Sequence, residues 1–354
     1  MIQGHGGNVY GLSKKLGCNS DDIVDMSSNI NPLGPPQALV SYLQNHFSVM
    51  CRLPESDAQT VIDMFSAYYS IPSNHILAGN GTTQFIYTAP QALKMKNALI
   101  IGPTYADYAD ACKMYGVNYT YGLATPETQF VPDRLHLKSQ INAADTVFIC
   151  NPNNPTGILL SWEVLSEWIQ AFPNTRFIID ESYLPFVGDH AQRFMTASFK
   201  NVIVLYSMSK IFCIPGLRIG FLIAHPTYIE AFQHYSTPWS MNAFAQESAK
   251  YLLSHDMTDF VTRTQQYIHD QRMIMEQRIR VSPQLKVFPS TTGFMLIQLL
   301  GQQRADSICE TLASQRILIR NCANFIGLSN AFIRISVKKM NENLDFLDKL
   351  LKIV

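Results

Sequence analysis

The chain has 354 residues, 47% of them hydrophobic, with 27 basic and 27 acidic side chains and a formal net charge of zero. That length supports a sizeable core and two domains, and the balanced charge gives no footprint for nucleic acid or an anionic membrane surface. Seven cysteines without a C-x-x-C pair read as reduced thiols in a cytoplasmic protein, not as disulfides or metal ligands. No apolar run reaches membrane-spanning length, and Met1-Ile2-Gln3-Gly4-His5 lacks the basic-then-apolar pattern of a signal peptide.

Residues 1–36 read as largely irregular. Asp25-Met26-Ser27-Ser28-Asn29-Ile30-Asn31-Pro32-Leu33-Gly34 is a polar extended segment ending in a turn. Helical spacing follows over Gln37–Met50 and Asp57–Ser70, and a further helix over Gln84–Leu93. Strands and helices then alternate, with strands at Ala98–Ile101, Val117–Tyr121, Thr146–Cys150, Arg176–Asp180, Val202–Tyr206 and Ile219–Ala224. The pattern predicts an α/β fold with a mostly parallel sheet covered on both faces. After Pro238 the texture changes to long helices, Asn242–His255 and Met257–Val281, followed by strands at Phe294–Leu299 and Phe332–Val337. The expected organisation is a large domain over 37–238 and a smaller α+β domain over 239–354, with residues 1–36 packing back on the latter.

Ligand sites in such sheets lie beyond the carboxyl ends of the strands. Four stretches fall there. The strand Val202–Tyr206 runs into Ser207-Met208-Ser209-Lys210, and Arg218 follows just before the next strand. A lysine at the rim of a sheet can lose its proton through desolvation and act as a nucleophile. Serine hydroxyls and a guanidinium suit a phosphate. A covalently binding lysine beside a phosphate cradle is what pyridoxal phosphate (PLP) requires; a surface turn is the alternative. Gly81-Thr82-Thr83 opens a helix and could hold an anion, or Thr82 and Thr83 could simply cap it. Asn151-Pro152-Asn153-Asn154-Pro155-Thr156-Gly157 follows a strand, and turn-making explains its prolines and glycine but not its amides. Asp180 ends a buried strand and could pair with a pyridinium N–H or cap a helix. Tyr183 could reach the cofactor's phenolic oxygen, and Tyr105 could stack on a flat ring or belong to the core.

Together, in this order and spacing, these stretches resemble the fold-type I PLP enzymes of the aspartate aminotransferase superfamily over essentially the whole chain. The resemblance implies a mostly parallel seven-stranded sheet and a homodimer. It makes Lys210 the covalent cofactor lysine and pairs Asp180 with the pyridine nitrogen. Asn154 and Tyr183 meet the ring oxygen and Tyr105 stacks on the ring. The phosphate falls to Gly81, Thr82, Thr83, Ser207, Ser209 and Arg218. No metal is implied.

Within that superfamily the chain resembles the histidinol-phosphate aminotransferase branch. His5-Gly6-Gly7-Asn8, Ser28-Asn29-Ile30-Asn31-Pro32-Leu33-Gly34 and Ile214-Pro215-Gly216-Leu217-Arg218 narrow the likeness to the threonine-phosphate decarboxylases of cobalamin biosynthesis. The substrate residues so implied are His5, Asn31, Asn154, Arg320 and Arg334. Arg334 lies inside an apolar strand, where a charge needs a partner or ligand; a structural ion pair is the alternative. The expected activity is decarboxylation of L-threonine O-3-phosphate to (R)-1-amino-2-propanol O-2-phosphate, with L-serine O-phosphate, one methyl smaller, as a second substrate giving ethanolamine phosphate. Histidinol-phosphate transamination is the same-fold alternative. One departure stands out: where this branch carries a tyrosine donated across the dimer, Arg52-Leu53-Pro54-Glu55 has Leu53.

Overall fold

The structure, a computed structural model, describes residues 6–188, 193–196 and 199–354. Its larger sheet has seven strands: β1 (Ile76–Asn80), β2 (Asn97–Gly102), β3 (Asn118–Leu123), β4 (Thr146–Cys150), β5 (Arg176–Asp180), β6 (Val202–Ser207) and β7 (Ile219–Ala224). They lie in the order β1-β7-β6-β5-β4-β2-β3. All run parallel except β7, which opposes both neighbours. β4, β6 and β7 are buried along their whole length, as continuous apolar runs covered on two faces must be. The covering helices start where side chains can cap them: Asp133 accepts from Leu135 N–H, and Ser161 from Val164 N–H. β1 has no counterpart in the sequence reading, because only Ile76 and Leu77 precede Ala78-Gly79-Asn80 on this edge strand.

The smaller sheet comprises β8 (Leu285–Val287), β9 (Phe294–Leu299), β10 (Arg320–Asn321) and β11 (Phe332–Ser336), ordered β10-β11-β9-β8 and antiparallel throughout. The N-terminal segment joins this side of the molecule. Val24–Asp25 pairs in parallel with Ile317–Leu318, Met26 is fully buried in the second core, and its carbonyl accepts from Ser336 N–H. The core changes along one helix, Thr258–Ile279, well beyond the textural change at Pro238. Ile268 belongs to the large-sheet core, whereas Met275 and Ile279 belong to the other.

This topology brings the candidate residues to one end of the large sheet. Asp180 and Ser207 are the last residues of β5 and β6, and Gly81 directly follows β1. Because β7 is antiparallel, its first residues arrive at the same end, with Asn80 opposite Ile219 and Ser207 opposite Gly220. Gly220 has a specific steric duty there. A Cβ on it would run into Thr82 N and lie 2.7 Å from Gly81 Cα. Overpacking of this kind typically costs about 1–3 kcal/mol. Gly220→Ala should therefore lower the thermal midpoint and weaken cofactor binding by about tenfold or more, read by thermal shift and PLP titration. Wild-type affinity in the variant would show that this contact does not set the turn.

Candidate active site

A cavity of about 170 Å³ sits at that end of the sheet, and it is lined by Gly81, Thr82, Thr83, Tyr105, Asn154, Asp180, Tyr183, Ser207, Ser209, Lys210 and Arg218. Every residue expected to touch the cofactor therefore meets around one space. At one end of it, the helix Gly81–Ala92 begins without a side-chain cap on its first-turn N–H groups. Gly81 has φ +71°, and a Cβ there would come within 2.6 Å of Arg218 Nη2, so glycine lets the guanidinium lie against the turn. Arg218 itself is left-handed (φ 62°) and donates to Pro215 O at 3.2 Å. Ser209 Oγ donates to Ile219 O, and Ser207 Oγ accepts from Ser209 N–H, which fixes both hydroxyls beside it.

At the other end Asp180 is buried. Its Oδ1 accepts from Ser182 N–H and its Oδ2 from Tyr108 Oη, both at 2.9 Å. Burial raises its pKa, opposed first by the Ser182 side chain and then by these two bonds and Lys210. Burial also holds the Lys210 ammonium down to about 8, helped by Arg218 and Arg334 and opposed by Asp180. The donor-rich turn, a buried carboxylate and a nucleophilic amine in one cavity fit PLP: phosphate at the turn, ring nitrogen at Asp180, aldehyde carbon at Lys210.

The turn after β4 explains its amides. Asn151 exchanges hydrogen bonds with the Leu160 backbone, and Asn153 donates to Pro103 O and Thr156 Oγ1 while accepting from Thr104 Oγ1. These two hold the loop, and Asn154 is the amide that lines the cavity.

A second cavity of about 170 Å³ shares Tyr105, Asn154, Tyr183 and Lys210 with the first, and adds Asn29, Arg320 and Arg334 among its lining residues. Arg320 and Arg334 are register partners across β10 and β11, so they project from the same face of the small sheet. Their hydrogen-bond partners are neutral oxygens: Asn324 Oδ1 at 2.5 Å for Arg320, and Asn154 Oδ1 and the Ser27 carbonyl for Arg334. Among the described residues, no ion pair joins either guanidinium to a carboxylate, and Arg334 Nε is buried without a partner. Arg320 also lies over the Phe325 ring, 5.0 Å from its centroid. Burial lowers the pKa of both arginines, and Arg334 lowers that of Arg320 further by repulsion.

One expectation is corrected. Asn31 lines neither cavity. Its amide donates to Ile211 O and Thr264 Oγ1 and accepts from Leu33 N–H, so it ties the segment down behind Lys210. Asn29 takes the cavity position, donating to Tyr183 Oη at 3.3 Å and accepting from Ser336 Oγ at 2.8 Å. His5 lies outside the described residues, although the adjoining Gly6 lines the second cavity. Leu53 is 79% exposed and lines neither cavity. Tyr108 and Asn324 are further cavity residues that the sequence reading missed. A larger groove of about 400 Å³, lined by His75, Lys200 and His225 among others, contains none of the candidate residues.

The family model for aminotransferase class I and II matches residues 21–350. The chain belongs to the aminotransferase class I and II family. Its cofactor is pyridoxal 5'-phosphate. The threonine-phosphate decarboxylase of Salmonella typhimurium is 30% identical over 96% of this chain and 93% of its own length. The adenosylcobalamin biosynthesis bifunctional protein CobDQ of Leptospira interrogans is 33% identical over 97% of this chain, which spans only 40% of that longer protein. Among solved structures, the L-threonine-O-3-phosphate decarboxylase of Porphyromonas gingivalis superposes with TM-score 0.85 at 29% identity, covering 94% of this chain and 99% of that one. The histidinol-phosphate aminotransferase of Clostridium acetobutylicum gives 0.86 at 26% identity, with the same coverages of 94% and 99%. Fold alone thus does not separate the two chemistries.

The depressed Lys210 makes a testable statement about this family member. Below its pKa the amine is protonated and unreactive; above it the amine is free. Cofactor-free protein should react with an uncharged aromatic aldehyde at a rate that rises through pH about 8 and is level by roughly pH 9. Arg334→Gln should move the midpoint upward by removing a repulsive charge. A wild-type midpoint near the ordinary lysine value of 10.5 would contradict the assignment.

Proposed function

We propose that the protein is a PLP-dependent α-decarboxylase of a small amino acid O-phosphate. L-Threonine O-3-phosphate is the principal substrate and (R)-1-amino-2-propanol O-2-phosphate, a precursor of the cobalamin nucleotide loop, is the product. The observation that carries this reading is the cross-strand pair Arg320–Arg334 in a cavity shared with Lys210. Like charges directly opposite in a sheet are destabilising, and a buried guanidinium without a carboxylate is costly. A phosphate dianion relieves both, taking two charge-assisted forks at once. The relatives named threonine-phosphate decarboxylase support the choice.

Bound in the first cavity, PLP supplies an electron-accepting ring for the pair left when a bond to the substrate's α-carbon breaks. Asp180 would keep the ring nitrogen protonated, and Asn154 and Tyr183 would hold the ring oxygen. Tyr105 would cover the ring face. Lys210 would hold the group through its amine, whose pKa, lowered by burial to about 8, suits proton exchange at neutral pH. Arg320 and Arg334, with His5 and Asn29 assisting, hold the phosphate away from the reacting bond, and that remote binding energy turns the α-carboxylate perpendicular to the ring. A carboxylate clamped by arginine would instead be stabilised before reaction, opposing loss of CO₂. The reading includes a homodimer, supported by the exposed apolar side chains Phe47, Met50 and Leu53 in one short stretch.

Phosphothreonine should release CO₂ with no 2-oxo acid present, and unphosphorylated threonine should be a very poor substrate. Arg320→Ala and Arg334→Gln should each cut kcat/KM for phosphothreonine by roughly tenfold to over a hundredfold, while barely worsening threonine. Equal proportional losses on both substrates would place the carboxylate on the arginines. Turnover that requires a 2-oxo acid and yields no CO₂ would make the enzyme an aminotransferase.

A further inference from the structure

We propose that Tyr108 is a positioning residue for the cofactor: its hydroxyl holds Asp180 as a carboxylate aimed at the ring nitrogen and decides how much of their shared proton the ring keeps. This rests on reading the first cavity as the PLP site.

Tyr108 is completely buried and lines that cavity. It sits on the helix Asp107–Met114 and donates to Asp180 Oδ2 at 2.9 Å, across 72 residues of chain. Ser182 N–H occupies the other oxygen, Oδ1. Each carboxylate oxygen therefore has a protein donor, with the Ser182 side chain adding to the stabilisation of the carboxylate, and Tyr108 is the donor on Oδ2.

The orientation of Tyr108 is fixed by packing. Its ring stacks on Phe148 of β4 (centroids 5.1 Å apart, planes 16° apart) and stands edge-on to Tyr105 at 5.8 Å and 83°. The phenol thus links the residue that covers the cofactor ring to the residue that holds its charge. The chemistry follows from the burial of Asp180. In a dry site an isolated carboxylate takes up a proton. A proton taken by Asp180 is one the ring nitrogen does not hold, and the ring is then a weaker electron acceptor. A donor on Oδ2 stabilises the carboxylate and leaves the proton with the ring. Removing the hydroxyl makes Asp180 the stronger base and draws the proton toward it.

The test is the ¹⁵N chemical shift of ring-labelled PLP bound to the protein. Wild type should show a protonated ring nitrogen. Tyr108→Phe keeps the ring stack and removes only the oxygen. Its signal should move toward the unprotonated position, with kcat lower by roughly tenfold to a hundredfold and KM changed less than about twofold. Phe148→Leu loosens the packing but keeps the hydroxyl, and should leave the signal at its wild-type position. A wild-type ring-nitrogen signal in Tyr108→Phe, or an equal displacement in Phe148→Leu, overturns the proposal and leaves Tyr108 a packing residue. An unprotonated nitrogen in wild type would overturn the Asp180 pairing itself, and the proposal with it.

Discussion

Two guanidinium groups stand opposite each other on adjacent strands, and the wall of the second cavity is organised around them. Arg334 is buried, and its hydrogen bonds reach the Ser27 carbonyl on one side and Asn154 on the other. Those two contacts join three distant parts of the chain: the N-terminal segment, the turn after β4 and the small sheet. Ser336 Oγ on Asn29, Ser336 N–H on Met26 O and Lys338 Nζ on Ser28 O continue the same seam. None of these partners neutralises the charge. The protein holds two cations side by side, Arg320 half-buried and Arg334 buried with only partial electrostatic compensation from Asp25, which favours a ligand carrying more than one negative charge.

The other half of the site depends on strand direction. Six parallel strands deliver their carboxyl ends to one rim, and the antiparallel β7 begins there. That arrangement lets Arg218, at the entry to β7, lie against the turn after β1 and beside Ser207 and Ser209 at the end of β6. The glycines follow from the same closeness. Gly81 admits the Arg218 guanidinium, and Gly220 admits the backbone of the turn. The cradle is thus a consequence of sheet order as much as of residue type.

The residues that line the first cavity were legible in the sequence because each lies in a short string at the end of an apolar strand. Gly81, Asn154, Asp180, Lys210 and Arg218 need only the local pattern and the rule about strand ends. The choice between Asn29 and Asn31 needs tertiary contacts. Both sit in the short run Ser28–Gly34, and it is Thr264 and the Ile211 carbonyl that claim Asn31. Tyr108 sits on a helix, and its polar partner Asp180 ends a strand 72 residues further along the chain, which no local pattern reveals. The pairing of Arg320 with Arg334 depends on a ladder whose first strand is only two residues long, too short to carry a period. β1 escaped for a similar reason.

The central claim is that this arginine pair is a strained cation site kept for a phosphate. Thermal unfolding of the PLP-loaded protein and of Arg320→Gln, with and without 1-amino-2-propanol O-phosphate, tests it most directly, because that ligand has the phosphate but no carboxylate. The account predicts that, without ligand, the variant unfolds at or above the wild-type midpoint, and that the ligand raises the wild-type midpoint far more than the variant's. A variant that is less stable without ligand, together with equal ligand-induced rises in the two proteins, would contradict it.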